Sequence, residues 1–255
     1  MQLSAVLLAR VFLFIESTDL NPRGAAFYPD VIRALVERYT FQKFPQKFED
    51  LDESKGVVFE LGKFGKKNIE KVTIYSSGLA LDTTSSTKDS EEILEEALTW
   101  ATEKLGLQYK REMVRRKAYV SQVTIYSGVP LLEVNPHLEA LSRKVSEIVS
   151  ANIRLKSTFA PSGILLAPDP ESQTIPVSAF TIERRQGAAY SEGKYFSTAP
   201  LPTDIHLNLL EEFEQVVSAQ QKKGLILGIG VHPSELSFSR VSPLQIATFL
   251  AYTCK

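Results

Sequence analysis

Residues 69–106 constrain the fold most, because a hairpin pattern there leads directly into a helix pattern. Residues 69–75 (IEKVTIY) alternate polar and apolar side chains and are rich in β-branched residues, which predicts a half-buried strand. Gly78 can supply the positive φ that a tight turn needs, and residues 79–82 can return antiparallel to the first strand. This part of the stretch therefore predicts a β-hairpin.

The helix that follows is predicted over residues 90–106. Hydroxyl side chains at 83–87 can cap its start, acidic residues lie in its first turn, and Gly106 is expected to end it. Its apolar residues recur at helical spacing, so Leu94, Leu98 and Ala101 are expected to be nearly buried. An amphipathic helix of this kind has to pack its apolar face against a sheet.

The rest of the chain repeats these two kinds of pattern. Residues 3–15 form an apolar run that predicts a buried central strand, and further helices are expected to begin at Pro29, Pro136 and Thr203. Strands are also predicted over 153–159 and 177–183, and a polar loop over 190–202. The predicted fold class is therefore α+β: a mainly antiparallel sheet with four or five amphipathic helices packed on one face.

The composition changes towards the end of the chain. Residues 1–218 are predicted to form a single α+β domain, followed by a low-charge apolar tail over residues 219–255. From residue 224 onward only Glu235, Arg240 and Lys255 are charged. An exposed apolar stretch of this length is a liability on a free monomer, so the tail is expected to dock on the body or on a partner.

Charge and cysteine content narrow the functional classes. The net charge of −1, from 29 basic and 30 acidic residues, argues against a chain whose main task is to wrap duplex nucleic acid. The single cysteine, Cys254, cannot form a disulfide within the chain or a cysteine-based metal site, which fits a cytoplasmic protein. The apolar run at 3–15 is interrupted by Arg10 and is too short to cross a bilayer, so no membrane span is predicted.

No stretch carries a catalytic motif. The sequence has no Gly-x-Ser-x-Gly elbow, P-loop or dinucleotide fingerprint, so no catalytic residue, cofactor or metal site is assigned. His137 and His206 fall in amphipathic helices and are expected at the surface or at a helix cap. The sequence leaves open whether four carboxylates near strand ends converge on a metal: Glu16, Glu60, Asp82 and Glu183.

A short internal echo gives the most specific surface signal. The VTIYS pattern of residues 72–76 recurs at 123–127, with a weaker copy at 179–183, which predicts three strands of one sheet. If Val72, Ile74, Val123 and Ile125 face helices, the opposite face presents a threonine- and tyrosine-rich surface. The residues predicted to line this binding face are Thr73, Tyr75, Thr124, Tyr126, Thr181 and Glu183. The alternative is that a loop or the apolar tail covers this face.

A basic run between residues 110 and 117 is the best candidate for an anion-facing patch. Its members are Lys110, Arg111, Arg115, Arg116 and Lys117. The alternative is a solvated connector, which is the usual role of a short charge run.

The hairpin-then-helix unit of residues 72–106, with its Ser-Ser-Gly turn before an acidic helix start, resembles half of a TATA-binding-protein saddle. The matching second repeat and the basic charge of that family are missing from the sequence. The resemblance implies a saddle-like sheet, and no function is carried over from it.

These patterns favour a non-catalytic binding or assembly module that is a component of a larger protein complex. The expected partner is another protein or a second copy of this chain. The alternative is a nucleic-acid-binding or metal-dependent nucleic-acid-processing protein, for which the basic run and the strand-end carboxylates are the candidate residues.

Overall fold

A computed structural model of the chain describes residues 1–24, 26–172 and 176–226. Residues Met1–Val217 form one compact unit. Most of the apolar tail, residues 227–255, lies outside the described residues, so its docking stays a prediction. Across the described residues, no helix has both the length and the apolar character needed to cross a bilayer.

The chain forms one antiparallel sheet and a set of helices, which confirms the predicted α+β class. The strands are β1 (Gln2–Phe14), β2 (Val57–Phe64), β3 (Lys67–Tyr75), β4 (Gly78–Thr83), β5 (Arg116–Tyr126), β6 (Gly163–Leu166), β7 (Phe180–Arg184) and β8 (Lys194–Ala199). The helices are α1 (Ser17–Leu20), α2 (Tyr28–Tyr39), α3 (Thr87–Leu105), α4 (Pro136–Ile153) and α5 (Thr203–Ile226). The eight strands lie in the order β2-β3-β4-β1-β5-β8-β7-β6.

The apolar strand β1 lies at the centre of this sheet, as predicted. It pairs with β4 on one side and with β5 on the other, both antiparallel. Its side chains at Ala9, Val11 and Leu13 are buried on the helix-covered face. A long apolar strand suits this position because a strand paired on both sides has its backbone hydrogen bonds satisfied by its neighbours.

Helix α3 has the caps that the sequence predicted. The Ser86 side chain accepts a hydrogen bond from the Asp89 backbone N–H, and Gly106 ends the helix in the left-handed conformation at φ 75°. The three residues expected to be nearly buried are buried: Leu94, Leu98 and Ala101. They belong to a core in which α3 contacts β1, β4 and β5.

The sheet consists of two halves with the same order of elements, which the sequence did not reveal. Apart from the one-turn helix α1, the first half runs β1, α2, β2, β3, β4, α3, and the second runs β5, α4, β6, β7, β8, α5. Exchanging the halves leaves the strand order unchanged, with β1 and β5 paired at the centre. The VTIYS echo does not mark this repeat, because it occurs in β3 and β5. In the twofold arrangement, the equivalent of β3 is β7 and the equivalent of β5 is β1.

Three expectations about individual segments are wrong. The predicted strand at 153–159 is absent, because helix α4 continues to Ile153 and an irregular segment follows it. The predicted loop at 190–202 contains β8, which lies between β5 and β7. His206 is fully buried rather than at the surface. The short β8 sequence KYFSTA alternates as a strand should, but its polar residues made it look like a loop.

Candidate functional site

The six residues predicted to line a binding face do share one face of the sheet. Cross-strand pairing places Thr73 opposite Ala80, and Tyr75 opposite Gly78, on the side away from the buried Leu79 and Leu81. In the other half, Phe196 lies between Thr124 on β5 and Glu183 on β7, while Thr181 pairs with Thr198. The shared face is therefore confirmed, and a binding role for it stays a prediction.

These residues do not form one compact pocket. The strands β3 and β5 are separated by β4 and β1, which places Tyr75 at least roughly 14 Å from Tyr126 across the sheet. Thr73 and Thr124 are buried, whereas Tyr75 and Tyr126 are half-buried and Glu183 is exposed. The face is thus a broad surface rather than a cleft.

Sequence reasoning missed the aromatic residues that β1 and β8 contribute to this face. The Phe12 ring lies 4.5 Å from the Phe14 ring and 5.8 Å from the Tyr75 ring, measured between centroids. On β8, Phe196 lies on the same face, and the Lys194 ammonium lies 5.1 Å from the Tyr126 ring centroid. The largely apolar sequence of β1 hid this alternation, because both faces of the strand carry apolar side chains.

A row of alternating charges crosses the first half of the same face. Glu60, Lys71, Asp82 and Arg10 lie opposite one another on four adjacent strands. Arg10 donates two hydrogen bonds to Asp82, from Nε to Oδ1 and from Nη2 to Oδ2, each of 2.7 Å. These hydrogen bonds raise the pKa of the Arg10 guanidinium above its ordinary value.

The four strand-end carboxylates do not come together. Asp82 is paired with Arg10, Glu60 with Lys43 and Glu16 with Arg115, whereas Glu183 lies on the distant strand β7. The residues that the structure describes contain no group of three or more histidine, cysteine, aspartate or glutamate side chains that could hold a metal.

The basic run is largely paired with acidic neighbours. Its ion pairs join Arg111 to Glu95, Arg115 to Glu16 and Asp19, and Lys117 to Glu91. The Arg116 guanidinium lies 5.4 Å from the Phe14 ring centroid on the open face, and Lys110 is exposed. Strand alternation also directs Arg116 and Lys117 to opposite faces of β5. An anion-facing role for these residues stays a prediction, and nothing in their geometry strengthens it.

A buried histidine–serine pair has the composition of a catalytic dyad. The His206 Nε2 lies 2.8 Å from Ser197 Oγ, which donates its own hydrogen to the Thr181 carbonyl at 2.6 Å. The serine oxygen therefore accepts from Nε2–H, while Nδ1 has no partner among the described residues. Burial lowers the pKa of His206 to about 4. With the serine proton engaged elsewhere and both side chains fully buried, the pair is structural.

The two outer edges of the sheet differ in how they are protected. On β2, the backbone of Glu60 exchanges hydrogen bonds with Lys43, so a neighbouring segment covers that edge. Within the part of the chain that the structure describes, β6 pairs only with β7. The sequence of β6, Gly-Ile-Leu-Leu, holds no charged residue or proline of the kind that usually blocks edge pairing.

The apolar side chains on the helix-covered face are also buried to different extents in the two halves. Phe59 on β2 is fully buried, whereas the corresponding Ile164 on β6 is only half-buried. Helix α2 buries Val31 and Tyr39, but its counterpart α4 has no buried residue. Large exposed apolar side chains accumulate in and after α4: Leu138, Leu141, Ile148, Ile153, Leu155, Phe159, Leu165 and Leu166. The apolar stripe of α4 is therefore not covered by any part of the chain that the structure describes.

Comparison with known proteins does not assign a family to this chain. No protein-family model matches it, and no curated protein shows significant similarity to it. Its function therefore has to be inferred from its own surfaces.

Proposed function

We propose that this chain is a non-catalytic assembly module that associates with a second copy of itself through β6, as a component of a larger protein complex. The observation that carries this proposal is the contrast between the covered edge of β2 and the uncharged edge of β6, which no other described segment covers. The two halves have the same order of elements but differ in whether their outer edge strand, β2 or β6, is covered.

The backbone of β6 has groups directed outward. Arg184 N–H donates to the Ser162 carbonyl at 2.9 Å, which makes residues 162 and 184 a hydrogen-bonded pair. Hydrogen-bonded and non-hydrogen-bonded pairs alternate along an antiparallel ladder, so Ile164 and Leu166 bond towards β7. Gly163 and Leu165 therefore direct their N–H and C=O groups away from the sheet, where another strand can pair with them.

A second copy suits this edge because antiparallel pairing of two identical strands is self-complementary about a twofold axis. Pairing β6 with β6 of another copy would join two eight-stranded sheets and satisfy the same backbone groups on both. Leu165 and Leu166 project to opposite faces and are 66% and 60% exposed, so the contact would bury apolar surface on each side. The unburied stripe of α4 offers further apolar area for such a contact.

The test is the oligomeric state of the full chain, measured by light scattering over a concentration series. We expect a dimer for the unmodified chain and a monomer for Leu165→Pro. The proline removes an N–H that points outward, so pairing with β7 and the melting temperature should change little. Leu165→Lys should have the same effect by placing a charge at the edge.

The matched control is Phe48→Lys, which removes another highly exposed apolar side chain, in the first half of the molecule. This variant should remain a dimer. A monomeric unmodified chain at every concentration, or a dimer that persists in both Leu165 variants, would contradict the proposal.

A further inference from the structure

The first half of the molecule contains a cavity of about 360 Å³ between the sheet and the helices α1, α2 and α3. Its walls come from buried side chains that include Leu81 on β4 and Leu94 and Leu98 on α3. Protein interiors are close-packed, and the few voids they contain are usually no larger than a water molecule. The cavity falls instead within the range of roughly 300 to 1,000 Å³ that is typical of small-molecule sites.

Polar groups line the cavity together at one end. Ser17 N–H donates to the Ser76 carbonyl at 2.8 Å, and Ser76 N–H donates to the Glu53 carbonyl at 3.3 Å, so Ser17 and Glu53 lie close to each other. Both line the cavity, as does the neighbouring Thr18, which is exposed and places this end at the surface. Asn21 also lines the cavity, and the remainder of the wall is aliphatic or aromatic.

The Tyr28 hydroxyl is a second sign of a ligand at this end. It is buried and has no hydrogen-bond partner among the described residues. Burial raises the pKa of the phenol well above its ordinary value, and the Glu53 carboxylate raises it further by its charge and by an interaction with the hydroxyl that is too weak to count as a formed hydrogen bond. A buried hydroxyl normally finds a partner, because leaving one unmade costs free energy. A ligand with a polar head could supply that partner.

We propose that this cavity binds a slender apolar molecule whose polar head is cationic or neutral rather than anionic. The aliphatic wall suits a hydrocarbon chain, and the Tyr28 hydroxyl can hydrogen-bond the head. The head would lie beside Glu53, which lines the cavity close to the Tyr28 hydroxyl. A carboxylate ligand would meet this like charge, whereas an alkylamine would pair with it. This site is separate from the β6 edge and does not depend on assembly.

The first experiment uses the full chain and the neutral fluorophore N-phenyl-1-naphthylamine. We expect its fluorescence to rise on binding and to fall again on competition. Competition should be strongest with octylamine, weaker with 1-octanol and weakest with octanoate. The preference for the amine over the carboxylate should shrink by roughly tenfold or more in Glu53→Gln, because a close opposite charge becomes a neutral amide. Glu49→Gln, an exposed acid outside the cavity, is the matched control.

The second experiment fills the cavity. Ala97 lines it from α3, so Ala97→Phe should weaken fluorophore binding by about tenfold or more while leaving the fold intact. Ala151→Phe, on the exposed surface of α4, should bind as the unmodified chain does. Tyr28→Phe should weaken competition by 1-octanol more than it weakens binding of the fluorophore.

The proposal is overturned if the folded, unmodified chain does not bind the fluorophore. It is also overturned if octanoate competes as well as octylamine, or if Glu53→Gln leaves the order of competition unchanged. None of these three outcomes depends on whether Ala97→Phe folds. A failure here would leave the oligomeric state unaffected, so the two proposals can fail separately.

Discussion

Thr87 and Thr203 exchange hydrogen bonds across the interface between the two halves of the molecule. The Thr87 N–H donates to Thr203 Oγ1 at 3.1 Å, and the Thr203 N–H donates to Thr87 Oγ1 at 2.9 Å. Each residue is the first of its helix, in α3 and in α5. Each hydroxyl thus satisfies a backbone N–H that the start of the other helix leaves without an intrahelical partner.

The correspondence between the two helices continues along their length. Seven residues after each threonine lie Leu94 and Leu210, and fourteen residues after it lie Ala101 and Val217; all four are buried. The third position after each threonine holds Ser90 in α3 and His206 in α5, both fully buried. The helices therefore occupy equivalent places although their sequences differ.

Replacing either threonine with valine should destabilise the protein. Thr87→Val leaves the buried Thr203 N–H without an acceptor, which should lower the free energy of unfolding by about 1–3 kcal/mol in urea denaturation. Thr203→Val should have a similar effect through the Thr87 N–H. Thr87→Ser keeps the oxygen and should cost about 1 kcal/mol or less. Equal losses for Thr87→Val and Thr87→Ser would show that the exchanged hydrogen bonds do not matter.

His206 should make stability depend on pH. Its pKa is lowered by burial to about 4 in the folded protein, whereas the unfolded value is about 6.5. Between these values the unfolded chain binds a proton that the folded protein does not, so stability is full above pH 6.5 and falls as the pH drops towards 4. The expected loss between pH 7 and pH 5 is about 2 kcal/mol.

The measurement is urea denaturation of the unmodified chain and of His206→Gln at both pH values. The unmodified chain should lose more stability on acidification than the variant does. NMR of the imidazole nitrogens should also show His206 neutral at pH 5. A protonated ring at that pH in the folded protein would refute the prediction.

Leu98→Ala should cost about 2–5 kcal/mol, because the side chain is 4% exposed and its removal enlarges the space beneath α3. Leu155→Ala is the matched control, since this leucine is 69% exposed and should cost about 0.5 kcal/mol or less. Both values are measurable by urea denaturation. A loss below half a kcal/mol for Leu98→Ala would mean that α3 does not contribute to the core as its burial indicates.

Arg10→Met should destabilise the protein by about 1–3 kcal/mol, because it leaves the Asp82 carboxylate without its two charge-assisted hydrogen bonds. The expected loss of stability is moderate because the Arg10 side chain is 42% exposed, so water can partly replace its hydrogen bonds to Asp82. Arg10→Lys keeps the charge but not the two-pronged hydrogen bonding. Its stability should lie between those of the unmodified chain and Arg10→Met. A double-mutant cycle with Asp82→Asn isolates the pair, and a coupling near zero would contradict this account.

The hairpin, helix α3 and the central strand were predictable because their signals are local. Ser86 and Gly106 can satisfy helix ends within a few residues, and alternation in β3 fixes which side chains share a face. The shared face of Thr73, Thr124 and Thr181 followed from the same alternation. By contrast, β8 was missed because a short, half-polar strand becomes recognisable only once β5 and β7 lie on either side of it.

The sequence by itself thus determined the α+β class, the buried face of α3 and the sidedness of the echo strands, since each depends on the spacing of neighbouring residues. Only the tertiary structure decided the twofold arrangement of the halves, the burial of His206, the pairing of the basic run with distant acids, and the cavity beside Tyr28. It also decided which edge strand is covered. These features depend on residues far apart in sequence, and local patterns carry no information about which of them meet.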